Sequence, residues 1–209
     1  MGKEGLFEEL EGLRNGPVRA SVERRLEEFR KAGRGGEGSW FSEMCFCILT
    51  ANYTAHGGMR IQESLGEKGF CRLPEKKLVE KLKGLGHRFY NMRGRFIVEA
   101  RGKKVKEGLK GKEQAEMREW LVGNIRGLGW KEASHFLSNV GHFDLAIIDR
   151  HILAVLHKYG YLEEVPKTLG KKKYMEIERI LGGIAKKAGT SQGELDLYLW
   201  YMKTGKVLK

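Results

Sequence analysis

Leu121-Val122-Gly123-Asn124-Ile125-Arg126-Gly127-Leu128-Gly129-Trp130-Lys131-Glu132-Ala133-Ser134 is the stretch on which the fold turns. An apolar periodic segment precedes Gly127 and Gly129, and another follows them. That pattern predicts helix, tight Gly-x-Gly hairpin, helix over about residues 118–140. Glycine permits a sharp turn and lets the backbone lie close against another molecule. The first amides of the second helix lack an intrahelical acceptor, so they are free to hold an anion such as a phosphate. Lys131 falls in the first turn of that helix. Asp149 follows 18 residues later, in Asp144-Leu145-Ala146-Ile147-Ile148-Asp149-Arg150-His151. An amine and a carboxylate are thereby candidates for one site.

Outward from the hairpin, apolar residues recur at three and four and strict two-residue alternation is nearly absent, so the chain is expected to be all-α. Val18 to Ala32 reads as a charged amphipathic helix. Gly33-Arg34-Gly35-Gly36-Glu37-Gly38 reads as a flexible break. It divides an N-terminal helical appendage, residues 1–38, from a body, residues 39–209, packed as one compact unit. Ser39 opens an apolar helix through Leu49. Pro74 suits the first turn of a helix ending near Gly84 to Gly86. Phe89 to about Leu109 reads as a long basic helix and turn. Lys112 to Ile125 and Trp130 to about Val140 are the hairpin helices, followed by Arg150 to Tyr159 and Lys171 to Ala188. Ser191-Gln192-Gly193-Glu194 has capping-box spacing and starts the last helix. No internal repeat is visible.

The 209 residues carry a formal charge of +12. Such a basic surface points to a polyanionic partner, nucleic acid or acidic lipid. No apolar run is long enough to span a bilayer, and Met1-Gly2-Lys3-Glu4 shows no signal-peptide pattern, so a cytosolic protein with no membrane partner is expected. The three cysteines, Cys45, Cys47 and Cys71, are odd in number, and the first two sit in apolar surroundings. They argue against a disulfide framework and against a metal site.

At the hairpin and Asp149 the chain resembles the helix–hairpin–helix DNA glycosylase superfamily. Lysine at the position of Lys131 is the mark of its bifunctional glycosylase/lyase members. Three further segments narrow the resemblance. They are Ile48-Leu49-Thr50-Ala51-Asn52-Tyr53-Thr54-Ala55, Gly86-His87-Arg88-Phe89-Tyr90-Asn91, and the run from Glu194 through Trp200 to Lys209. Together they are similar to the archaeal-type 8-oxoguanine DNA glycosylase/AP lyases, over roughly Ser39 to Lys209. The resemblance implies an all-α, two-lobed helix–hairpin–helix glycosylase fold. Some members of the superfamily carry a four-cysteine iron–sulfur loop near the C-terminus. No cysteine follows Cys71 here, so no cluster is expected. The resemblance further implies a monomer that needs no cofactor and no metal, acting on double-stranded DNA containing 8-oxoguanine. It places the protein in the cytoplasm of a prokaryote, an archaeon, at the nucleoid. Hairpin carbonyls of the family often hold a monovalent cation.

The resemblance also assigns roles, each of which stands beside a plainer one. Lys131 is the nucleophile: its amine attacks the anomeric carbon, displaces the base and leaves an imine that permits β-elimination. Only the neutral amine attacks. The plainer reading is a surface lysine. Asp149 is the carboxylate that stabilises charge on the sugar and helps position or deprotonate Lys131. It is equally an N-cap, and Asp144 is a competing carboxylate. Gly127 and Gly129, with the amides after them, hold DNA phosphate, or simply make a helix–helix turn. Phe89 and Trp200 sandwich the extruded base, although aromatics at helical spacing are more often core. Lys209 contributes its terminal carboxylate as an acceptor opposite N7, where guanine has an acceptor and the oxidised base a donor; otherwise it is a frayed basic tail. The basic runs Arg101 to Lys106 and Lys171 to Lys173 contact phosphate or form a solvated face. The six histidines show no metal-ligand spacing. Two other functions fit the hairpin: excision of another damaged base, or DNA binding without catalysis.

A +12 chain reaching several phosphates displaces counterions. Its affinity for duplex DNA is therefore expected to fall steeply as salt rises. Titrations at several salt concentrations check this, and salt-independent binding contradicts it.

Overall fold

The computed structural model describes residues 2–209. Helices and one 3₁₀ turn are its only regular elements among the described residues. The helices are α1 (Lys3–Arg14), α2 (Val18–Arg34), α3 (Glu37–Thr50), α4 (Ala55–Arg72), α5 (Glu75–Gly84), α6 (Tyr90–Ala100), α7 (Val105–Leu109), α8 (Gln114–Asn124), α9 (Trp130–Asn139), α10 (Arg150–Lys158), α11 (Lys171–Ala188) and α12 (Gln192–Thr204). Two compact units form. One is Arg30–Gly141; the other joins the residues up to Phe29 with His142–Lys209.

This division departs from the expected boundary at Gly33 to Gly38. Val18, Val22, Leu26 and Phe29 form a buried stripe along the first part of α2, and α1 buries Leu6 and Leu10, so both helices have a core to join. The glycine cluster serves packing. A Cβ on Gly33 would lie 2.1 Å from the Val140 carbonyl oxygen. The Gly33 carbonyl accepts the Trp40 indole N–H at 2.9 Å. Gly33 is glycine because another backbone passes close by.

In the Arg30–Gly141 unit, α3 is the core. Trp40, Phe41 and every residue from Met44 to Thr50 are buried, so the second half of this helix is enclosed on all sides, while Ser42 and Glu43 before it are half-buried. It packs against α4, α6, α7 and α9. Helix α4, which the sequence reading did not place, carries four glycines. One of them, Gly58, has no room for a side chain: a Cβ there would lie 2.5 Å from the Thr50 methyl. The expected long helix from Phe89 to Leu109 is broken by the 3₁₀ turn Arg101–Lys103 and by Lys104 at φ +42°. The turn swings Val105 and Leu109 into the core.

Helices α8 and α9 form the hairpin. Arg118 is buried on α8; it donates to Ser134 Oγ at 3.2 Å, and its guanidinium lies 4.9 Å from the Trp130 ring centroid. Ala133, Phe136 and Leu137 face the core, and Asn139 donates to Glu43 on α3 at 3.1 Å. Between the helices, Gly127 has φ +95°, and a Cβ there would meet the buried Phe96 ring at 2.7 Å.

In the other unit α12 packs on α10 and α11, and α1 on α11. Leu195, Leu197, Tyr198 and Leu199 anchor α12. Ser191 Oγ caps it by accepting from the Glu194 amide at 3.1 Å.

Gly127→Ala meets both a left-handed backbone and a clash, so it should destabilise by about 1–3 kcal/mol. Gly123→Ala, in open space on α8, should stabilise by about 0.5–1 kcal/mol. Paired thermal melts check both; equal shifts would contradict the special role of Gly127.

Candidate functional site

Lys131 is the second residue of α9, directly beyond the hairpin. Its side chain is 27% exposed and its Nζ lies 3.4 Å from Glu132 Oε1. The other oxygen of Glu132 accepts the Gly129 amide at 3.2 Å. Glu132 therefore reaches back to the helix start, as an N3 carboxylate does in a capping box. One of the amides expected to hold phosphate already holds a carboxylate of the protein itself. The amides of Trp130, Lys131 and Glu132 follow at the helix N-terminus, where intrahelical acceptors are lacking. Gly127, Gly129 and Lys131 thus share one rigid hairpin.

Phe89 belongs to the same unit and is one of its exposed large apolar residues. Its amide donates to His87 Nδ1 at 3.2 Å, and His87 Nε2 donates to the Leu49 carbonyl at 2.9 Å. The network assigns an imidazole with its proton on Nε2. Burial pushes the His87 pKa down. The Tyr53 ring packs on His87 with centroids 4.3 Å apart. Arg88 covers the Phe89 ring at 4.9 Å and donates to the Asn52 carbonyl at 2.5 Å. Asn52 itself has φ +58°. The structure thereby joins the two quoted segments, 48–55 and 86–91, into one clasp. His87 had no role in the sequence reading. Its partners lie 38 residues before it and two after it, so no spacing rule exposes it.

In the other unit, Asp149 caps α10. Its Oδ1 accepts from His151 N at 2.8 Å and Ile152 N at 2.9 Å. The irregular segment leading to it is tied down along its length. Gly193 N donates to the Phe143 carbonyl at 2.9 Å, and Gln192 to the Asp144 carbonyl at 2.6 Å. Tyr174 donates to the Ala146 carbonyl at 2.7 Å and accepts from Ile148 N at 3.3 Å. Glu178 accepts from Ala146 N at 3.0 Å. The side chain of Asp149 is therefore fixed at both its cap and its approach. The competing Asp144 is exposed.

Trp200, on α12, meets His151 edge to face at 4.7 Å, which brings it beside the capped end of α10. Its indole N–H is buried without a partner among the described residues. Beyond α12 the backbone turns at Gly205, φ +69°, and Lys209 is half-buried. In the first basic run, Lys106 donates to the Gly35 carbonyl, Arg101 donates to the Phe70 carbonyl and Lys104 pairs with Glu107. In the second, Lys173 pairs with Glu176. Among the described residues no group of three or more His, Cys, Asp and Glu is arranged to hold a metal, and no helix is long and apolar enough to cross a membrane.

Residues 22–190 match the family described as 8-oxoguanine DNA glycosylase, Ogg-HhH. The chain is 50% identical over 206 residues to the 8-oxoguanine DNA glycosylase/AP lyase of Methanocaldococcus jannaschii, which covers 98% of this chain and 99% of the relative. It is 47% identical over 209 residues to the protein of that name from Thermotoga maritima, with 99% and 100% covered. The solved M. jannaschii 8-oxoguanine glycosylase/lyase in complex with a 15mer DNA containing 8-oxoguanine superposes with a TM-score of 0.94, at 50% identity, covering 98% of this chain and 99% of that one. The T. maritima 8-oxoguanine DNA glycosylase superposes with a TM-score of 0.92, at 47% identity, covering 99% and 100%.

The cap geometry makes a prediction independent of function. Asp149→Ala should cost about 0.5–2 kcal/mol of stability, whereas Asp149→Asn, which also accepts amide bonds, should cost far less. Denaturant melts of the two variants decide; equal losses would mean that the cap bonds do not hold α10.

Proposed function

The chain belongs to the 8-oxoguanine DNA glycosylase family of helix–hairpin–helix proteins, and from that premise we propose that it excises 8-oxoguanine from double-stranded DNA and then cleaves the strand at the abasic site. The observation that carries this reading is Lys131, an amine held at the second position of α9 immediately after the Gly127 to Gly129 turn.

Lys131 Nζ attacks C1′ of the damaged nucleotide and the base departs with the electrons of the glycosidic bond. The resulting imine allows β-elimination of the 3′ phosphate. Asp149 supplies the negative charge that stabilises the sugar as the base leaves. Its fixed orientation suits it to that task, because a preorganised charge needs no rearrangement during reaction. Phe89 and Trp200 offer faces on which an extruded base stacks. Lys209 contacts the base edge. The hairpin at Gly127 and Gly129, with the amides that follow, takes a backbone phosphate. These events take place on the nucleoid, in the cytoplasm.

Lys131→Gln should abolish base release and borohydride trapping on duplex DNA containing 8-oxoguanine, with DNA binding largely kept. Trapping at wild-type yield would sink the assignment. Asp149→Asn should slow base release on the order of a hundredfold.

A further inference from the structure

The reaction has an unassigned step. Once the imine exists, a proton must leave C2′ before the 3′ phosphate can depart. Glu132 is the group placed to take it. Neighbouring side chains on a helix point about 100° apart and do not ordinarily meet. Lys131 and Glu132 nonetheless approach to 3.4 Å, with Glu132 turned back toward the start of α9. Glu132 is 16% exposed and its Oε2 is pinned by the Gly129 amide. Capping accounts for that oxygen and leaves Oε1 beside the reacting nitrogen. The buried guanidinium of Arg93 gives Glu132 a second cationic neighbour.

We propose that Glu132 is a further catalytic residue, the general base of the strand-cleavage step. The proposal rests on the imine chemistry assigned to Lys131. In the imine, C2′ stands two bonds from Nζ. Oε1 lies 3.4 Å from Nζ, so it neighbours the carbon that must lose its proton. Glu132 Oε1 takes the C2′ proton, and the C–H electron pair forms the C1′=C2′ bond as the iminium becomes an enamine. The enamine electrons then form C2′=C3′ while the C3′–O bond breaks, and the phosphate leaves with that electron pair. Glu132, now a carboxylic acid, returns its proton to solvent. The carboxylate that pairs with the ammonium of Lys131 before the reaction also pairs with the iminium after it.

Glu132→Gln keeps an oxygen for the Gly129 amide and so keeps the cap, but cannot take a proton. Single-turnover base release and strand cleavage are measured on 8-oxoguanine duplex, and cleavage is measured again on a duplex with a pre-formed abasic site. Cleavage should fall relative to base release by at least about tenfold, on both substrates, while borohydride still traps the variant. Glu132→Asp, with a shorter carboxylate, should recover part of the cleavage. Cleavage that keeps pace with base release, whether both are unchanged or both are lost, overturns the assignment. Absence of a trapped adduct in the wild-type protein instead refutes the imine reading beneath it.

Discussion

A helix enclosed on all sides from Met44 to Thr50 is the constraint on which the Arg30–Gly141 unit is built. The second half of α3 cannot turn any face to water without exposing Met44, Phe46, Ile48 or Leu49. It therefore recruits α4, α6, α7 and α9 as walls. Helix α9 gains its rigidity in this way, through Phe136 against Trp40 and Asn139 against Glu43. Lys131 stands at the start of a helix that is buried from Phe136 to Asn139. The backbone of this proposed nucleophile is held by the core, and its side chain is held by Glu132.

Both carboxylates proposed to act in the chemistry are also helix caps. Asp149 terminates α10 with one oxygen, and Glu132 reaches back to Gly129 with one oxygen. A cap bond fixes a carboxylate and leaves its second oxygen available. Structural and chemical readings of such residues are therefore not rivals. Mutational tests must separate them with amides, which cap but carry no charge.

Short-range signals were readable in the sequence and long-range ones were not. The hairpin, the Asp149 cap and the Ser191 cap each depend on residues within a few positions of one another. Helix α11 has the bounds its periodicity predicts, Lys171–Ala188. Glycine misled the reading twice. The run Gly33 to Gly38 does separate α2 from α3, yet Gly33 itself lies against Val140; the glycines of α4 hide a helix, yet Gly58 makes room for Thr50. Glycine for mobility and glycine for close approach look the same in sequence. The interruption at Lys104 follows from the need to bury Val105 and Leu109, which only the packed structure reveals. In the candidate site, Glu132 and His87 escaped notice because their roles are defined by a neighbour's conformation.

The clasp around His87 makes Phe89 answerable to proton concentration. Nδ1 must stay bare to accept the Phe89 amide. A proton there would set a donor against a donor. Burial foremost, and the nearby charges of Arg93 and Arg88, hold the ring below the ordinary histidine pKa, against the raising effect of its Leu49 bond. The stabilisation from a lowered pKa is present above the unfolded value of about 6.5 and is lost as pH falls through the folded one. In mild acid the grip on one exposed aromatic ring therefore loosens, at a histidine that also holds the Leu49 carbonyl of α3.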